Sequence, residues 1–314
     1  MSINELGSML GDPLMQRALI AAVLVGLAAP VVGTYLVQRR LSLLGDGIGH
    51  VALTGVALGW LIANAMNLAP NDVLALPGAV LAAVVGAVVI EIVREHGKTS
   101  GDVALALLFY GGIAGGVLLI KAAGGTSATL VGYLFGSIST VTTSDVVMTV
   151  VLAAVILLVG VGLRTALFAV SHDEEFARAS GLPVRFLNVA IAVIAALTVT
   201  VAMRVVGVLL VSALMIVPVA ISQLTARSFR GTMRLAMAIG VAVCITGLTI
   251  TYFQDLSPGA TIVVLAIVLY AAVAVARPLF VRRPWHDPHP EIADDVELAH
   301  GRTGAAQEHL GAER

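Results

Sequence analysis

About nine runs of apolar residues, each near the length of a membrane span, dominate this chain. They fall at approximately 18–38, 48–68, 73–93, 103–120, 145–163, 187–203, 205–224, 235–253 and 260–276. A helix needs about 20 apolar residues to cross the hydrocarbon core of a bilayer. The stretch from 187 to 224 is nearly continuous, and its length divides it at Arg204 and Gly207. Composition agrees with this reading. The 314 residues are 59% hydrophobic and only 12% charged, where soluble proteins carry about 25% charged residues. No single soluble core of this length hides so much apolar surface. The expected fold is an all-α, polytopic transmembrane helical bundle of about eight or nine spans. The segment 126–140, TSATLVGYLFGSIST, is too short and polar for a span and reads as a re-entrant or interfacial helix.

Positive charge orients the spans, because loops rich in Lys and Arg stay in the cytoplasm. If the first span runs outside to inside, the basic residues from Arg39 and Arg40 through Arg94, Lys98, Arg164, Arg178, Arg185, Arg227, Arg230 and Arg234 to Arg277, Arg282 and Arg283 all face inward. Only Arg17, Lys121 and Arg204 fall on the other side. The chain then reads as an external N-terminal segment (1–16), a transmembrane permease domain (17–283) and a polar cytoplasmic tail (284–314). The expected setting is a bacterial cell membrane, with the N-terminus outside and the C-terminus inside. The tail is acidic and proline-containing, a composition that disfavours a packed core. It holds His286, His289, His300 and His309, which read as incidental on a solvated tail or as a metal-buffering tract. The start carries no basic region before its first apolar stretch, so no cleavable signal is expected. The lone cysteine, Cys244, lies in an apolar run and reads as a small hydrophobe. A net charge of −1 gives no hint of nucleic acid.

Within this apolar background, LLGDGIGHVALTG is unusual. Asp46 and His50 stand four residues apart, on one helical face. Ionisable groups in or near a bilayer are costly and lean towards function. A carboxylate with an imidazole suits zinc, manganese, iron or nickel. Two donors do not complete a site, which fits a transported ion that keeps some water. The alternative is a buried Asp–His hydrogen bond that pins two helices. Other acidic residues have simpler readings. Glu91 is within reach of Arg94 or Lys98, Asp102 and Asp145 resemble helix caps, and Asp255 sits in a Ser-Pro-Gly turn. Glycines at 55 and 59, and at 111, 112, 115 and 116, form small-xxx-small patterns suited to close helix packing. Gly207 and Pro218 bracket a helix able to bend. The string GKT at 97–99 is not a phosphate loop, because Ile92 stands where that motif needs glycine. Any ATP that drives this chain is therefore bound by another subunit.

The loop SHDEEFARASGLP at 171–183 is the most polar stretch between two spans on the basic side. Asp173 to Ser180 reads as a short helix across the membrane face, with acids at its start suiting the helix dipole. Glu174 and Glu175 supply charge, and Phe176 and Ala177 a small apolar face. Gly181 and Pro183 end it. It reads as a docking helix for an ATPase or as a plain interfacial linker.

Taken together, QRRLSLLGDGIGH, SGDVALALLF, LVGYLFGSIST, DEEFARASGLPV, VVGVLLVSALMIVPVAISQL and LSPGATIVV occur in an order that resembles the permeases of ABC importers for zinc and manganese, including the high-affinity zinc-uptake permease. The resemblance runs from about residue 13 to 280. It implies a non-enzymatic transport subunit with no permanent cofactor, which passes a divalent metal, zinc first. It implies a second permease subunit forming a homodimer, two cytoplasmic ATP-binding subunits, an extracellular metal-binding protein and contact with membrane lipid, but no nucleic acid. Asp46 and His50 match the family's GDxxxH metal motif. Asp173, Glu174, Glu175, Phe176, Ala177 and Gly181 match its coupling helix. One departure is that Ala52-Leu53-Thr54-Gly55 replaces the Leu-Pro-Gly that many relatives carry after the histidine. Manganese or ferrous iron import by the same architecture is the nearest alternative. A proton-driven secondary metal transporter is the alternative from a different class; it would need ionisable residues along several spans, and nearly all spans here lack them.

Overall fold

The computed structural model describes residues 3–68, 73–96, 101–137, 141–203, 206–254 and 256–280. The GKT turn, Arg204, Asp255 and the 284–314 tail with its four histidines lie outside the described residues. The chain divides into two compact units, Met1–Val275 and Ala276–Arg314. Of the second, only Ala276–Phe280, the end of the last helix, is described.

Among the described residues every regular element is a helix: α1 (Ile3–Gly11), α2 (Pro13–Gln38), α3 (Leu44–Ala65), α4 (Ala75–His96), α5 (Gly101–Ala122), α6 (Ser127–Phe135), α7 (Thr143–Gly162), α8 (Arg164–His172), α9 (Glu174–Ala179), α10 (Val184–Ala202), α11 (Val208–Thr225), α12 (Phe229–Phe253) and α13 (Pro258–Phe280). Eight of them are long and apolar enough to cross a membrane, and α11 is a shorter apolar helix. The nine expected spans correspond in order to α2, α3, α4, α5, α7, α10, α11, α12 and α13. The short polar-edged segment forms α6. The expected break near Arg204 and Gly207 falls between α10 and α11.

Several helices begin before their apolar runs do. Asp12 caps α2, its carboxylate accepting from the Leu14 N–H at 2.9 Å, so the helix starts at Pro13 and the 16/17 boundary falls inside it. Ser228 caps α12, accepting from the Gly231 N–H at 3.1 Å, which brings Arg230 and Arg234 onto the helix. Hydropathy finds where a helix is greasy, whereas caps determine where it starts. Asp145 fulfils its reading as a cap. Thr142 and Asp145 form a reciprocal capping box at the head of α7.

Close backbone contacts hold the bundle together. A Cβ on Gly55 would strike the Gly78 carbonyl oxygen, and one on Gly78 would strike that of Gly55. Glycine at both positions therefore lets α3 and α4 touch backbone to backbone, and Gly59 repeats the contact against Leu74 one turn on. The small-xxx-small reading holds here. In α2, Pro30 removes the N–H that would pair with the Gly26 carbonyl, and that carbonyl faces Gly240 of α12. Tyr35 donates to the Gly160 carbonyl, tying α2 to α7. α11 runs through Pro218, and the Ser222 hydroxyl donates to the Pro218 carbonyl at 2.7 Å.

At the end of the bundle away from the basic residues, Gly207 takes φ +90° and packs against the Leu134 carbonyl at the close of α6. Gly259, at the start of α13, packs on Val206, and the Ser257 hydroxyl donates to the Phe135 carbonyl at 3.2 Å. The end of α6, the α10–α11 break and the head of α13 thus form one knot. Replacing Gly207 with alanine should lower the melting temperature by several degrees in detergent, because a side chain there meets both an unfavourable φ and a filled space. Thermal unfolding followed by circular dichroism checks this.

Candidate functional site

α2 ends in a tight turn. Arg39 is its C-cap, and Arg40 takes φ +58°. Arg40 N–H donates to the Val37 carbonyl at 3.1 Å and Leu41 N–H to the Leu36 carbonyl at 2.9 Å. These bonds form a Schellman motif, a helix ending that normally favours glycine where Arg40 stands. The chain then enters α3 at Leu44, with only five residues between α2 and α3.

That short turn places Asp46 in the first turn of α3, where a carboxylate suits the positive end of the helix dipole. Asp46 is half-buried and lines a cavity of about 430 Å³ with Arg40, Ser42, Leu105, Ala106, Phe109 and other residues of the turn and α5. One turn deeper, His50 is 2% exposed. Phe109 packs edge-on against its ring, with centroids 4.6 Å apart. The His50 Nδ1 has no hydrogen-bond partner among the described residues. Asp46 and His50 share the face of α3, but no hydrogen bond pins Nδ1 to Asp46. A buried imidazole nitrogen without a partner is costly and rare.

Glycine brings α5 this close. A Cβ on Gly112 would lie 2.7 Å from the His50 carbonyl carbon and 2.8 Å from the Val51 nitrogen. Thr54, one turn past His50, donates to the Gly112 carbonyl at 2.8 Å. On the opposite flank, Ser212 and Met215 of α11 pack against Gly45. The Ser212 hydroxyl is buried and without a hydrogen-bond partner. Two unpartnered polar groups therefore lie near the start of α3. Phe109 and Ser212 carried no signal in the sequence, because only the fold brings them to α3. Gly112 was visible as part of a packing pattern, but its contact with His50 was not. No group of three or more His, Cys, Asp or Glu side chains placed to hold a metal occurs among the described residues. One chain thus places a carboxylate on the cavity wall and a buried imidazole one turn deeper, behind Phe109.

The second sequence-marked segment lies at the same end. Asp173 caps α9, accepting from the Phe176 N–H at 2.9 Å. Gly181, at φ +79°, closes the helix with the Leu182 N–H donating to the Ala177 carbonyl. α9 follows α8 directly, an element that the sequence had not suggested. Phe176 is 66% exposed, while Ala177 is fully buried, so the outward apolar face narrows to Phe176. Ala177 packs inward because the helix is short and one side must cover the bundle. Glu91 pairs with Arg94 at 2.8 Å, as its spacing suggested, and also lies 3.9 Å from Arg39. Arg39 lies 3.9 Å from Glu174 as well. Arg178 pairs with Glu174, and Arg185 with Glu95.

Comparison with known proteins gives one consistent result. Residues 11–277 match the family described as the ABC 3 transport family. The manganese transport system membrane protein MntC of Halalkalibacterium halodurans is 30% identical over 82% of this chain and 85% of its own length. The chelated iron transport system membrane protein YfeD of Yersinia pestis is 28% identical over 87% of this chain and 90% of its own. Among solved structures, PsaBC from Streptococcus pneumoniae in complex with Fab superposes with a TM-score of 0.75 at 31% identity, covering 87% of this chain and 95% of that one. With spans of bilayer length and a match across nearly all of them, the chain is a multi-pass membrane protein that belongs to the ABC 3 transport family.

Proposed function

We propose that this chain is the membrane permease of an ATP-driven importer of a divalent transition-metal ion, which passes Asp46 and His50 on its way across. The observation that carries this reading is the buried, unpartnered His50 nitrogen one turn deeper than a cavity-lining carboxylate. Imidazole and carboxylate together suit borderline and hard divalent ions. Manganese is the first reading, because several related proteins are named for manganese transport. Zinc is the second, supported by imidazole as a zinc ligand. The ion is cargo, and no resident cofactor is required.

Two donors leave the coordination shell open, so water and a second copy of the chain are proposed to complete it. ATP hydrolysis belongs to two partner subunits that dock on α9 at the basic end, which faces the cytoplasm. The N-terminus then lies outside, where an extracellular metal-binding protein delivers the ion. The tail is proposed to be a solvated cytoplasmic extension.

The test is uptake of manganese-54 and zinc-65 into vesicles that contain this chain, its ATPase and its binding protein, with and without ATP. ATP-dependent accumulation of either ion supports the reading, and the ion that competes better sets the substrate. Uptake indifferent to ATP would overturn it. A second expectation concerns docking. Phe176→Asp should reduce co-purification of the ATPase about tenfold, because it places a charge where an apolar side chain meets its partner. Reversing Glu174 and Glu175 should act in the same direction. Full co-purification of a well-expressed Phe176→Asp protein would remove α9 from the docking surface.

A further inference from the structure

The basic end of the bundle carries a buried cation that its local helix does not neutralise. The Arg39 side chain is only 6% exposed. It stands at equal distance, 3.9 Å, from Glu91 on α4 and from Glu174 on α9. Glu91 is itself buried and is shared with Arg94, while Glu174 is partly exposed and shared with Arg178. Arg185 at the head of α10 holds Glu95, one turn beyond Glu91 on α4. A cavity of about 110 Å³ lies among these groups, lined also by Asn188, whose buried Oδ1 has no hydrogen-bond partner. The cluster thus joins α2, α4, α9 and α10 with charged contacts and leaves room to move.

A buried guanidinium is costly unless it is paired, and one held at 3.9 Å from two carboxylates is fully committed to neither. Displacing α9 changes how that charge is shared. Burial pulls the Arg39 guanidinium below its ordinary value, Glu91 pushes it back up, and Arg94 then lowers and Glu174 raises it; the group stays charged, and what depends on both partners is how that charge is paired. Arg39 is also the last residue before the Schellman turn, and seven residues before Asp46. α4, which carries Glu91, packs backbone to backbone on α3 through Gly78 and Gly55. Apart from α9, the two connections of Arg39, the turn that follows it and its partner helix α4, therefore lead mechanically to the helix that carries Asp46 and His50.

We propose that Arg39 is a positioning residue that couples the docking helix α9 to the metal-bearing helix α3, by sharing its buried charge between Glu174 and Glu91. This rests on the proposed importer function. It gives α9 a defined lever. When a partner subunit moves Glu174, Arg39 shifts its weight toward Glu91, and the α2–α3 turn and the end of α4 respond together.

The experiment uses the reconstituted complex of permease, ATPase and binding protein, and reads ions moved per ATP hydrolysed. Arg39→Gln should lower that ratio about fivefold, with ATP hydrolysis changed by less than about twofold. Arg39→Lys, which keeps the charge, should recover at least half of the loss. Glu174→Gln should lower the ratio too, and the double variant should be no worse than the worse single one. An unchanged ratio in Arg39→Gln, or single losses that multiply in the double variant, would overturn the proposal. Should Arg39→Gln fail to accumulate, Glu174→Gln alone decides, and an unchanged ratio there overturns it. A wild-type complex without ATP-dependent uptake would refute the importer reading instead. The Arg39–Glu174 coupling is then read from a double-mutant cycle on the melting temperature of the permease alone, where additive shifts would refute it.

Discussion

Asp46→Ala and His50→Gln should each reduce ATP-driven metal uptake by about 100-fold or more, since loss of even a supporting group at a metal site costs about 10–100-fold. The permease should still assemble with its ATPase. The physical basis differs between the two residues. Asp46 lines a 430 Å³ cavity, so removing its carboxylate deletes the negative charge that holds a cation at that end of the path. His50 lies deeper, against Phe109, and its Nδ1 has no partner to lose. Glutamine fills much of the imidazole volume, so the packing with Phe109 suffers little and the loss reports on ligation. Retained uptake in a well-folded His50→Gln protein would return His50 to a packing role. Phe109→Leu is expected to have an intermediate effect, because it opens the cover over His50 without removing a donor.

Gly55→Val should sharply reduce the folded protein recovered in detergent, while Gly111→Val should not. The two glycines belong to similar small-residue patterns. At Gly55 a side chain would collide with the Gly78 carbonyl of α4, a backbone atom that cannot rotate away. At Gly111 nothing lies within 4 Å. Overpacking of this kind costs about 1–3 kcal/mol and sometimes more, and here it separates the helix bearing Asp46 and His50 from α4. Size-exclusion profiles of the two variants make the comparison. Equal, monodisperse recovery of both would show that the α3–α4 contact is not as tight as the backbone geometry requires.

The same pair of glycines shows how far the sequence could be read. Spacing marked Gly55, Gly59, Gly111 and Gly112 alike as packing positions. Gly55, Gly59 and Gly112, like Gly115 and Gly116, face a neighbouring helix closely and Gly111 does not, because spacing fixes which face of a helix a residue is on but not what lies opposite. Asp145 and Gly181 were legible because capping is local, and everything needed lies within a few residues. Ala177 was misplaced on the outward face because a six-residue helix gives too little periodicity to tell its two sides apart.

By itself, the sequence determined that this chain lives in a bilayer as a bundle with about nine apolar helices, because lipid demands long apolar runs and punishes charge within them. It also determined that Asp46 and His50 share a helical face, because four residues are close to one helical turn. The tertiary structure alone decided that His50 is capped by Phe109, that Ser212 comes to α3, and that Arg39 stands between Glu91 and Glu174. Those contacts join residues 50 and 109, 45 and 212, or 39 and 174. No local rule constrains such pairs, and only the packing of whole helices brings them together.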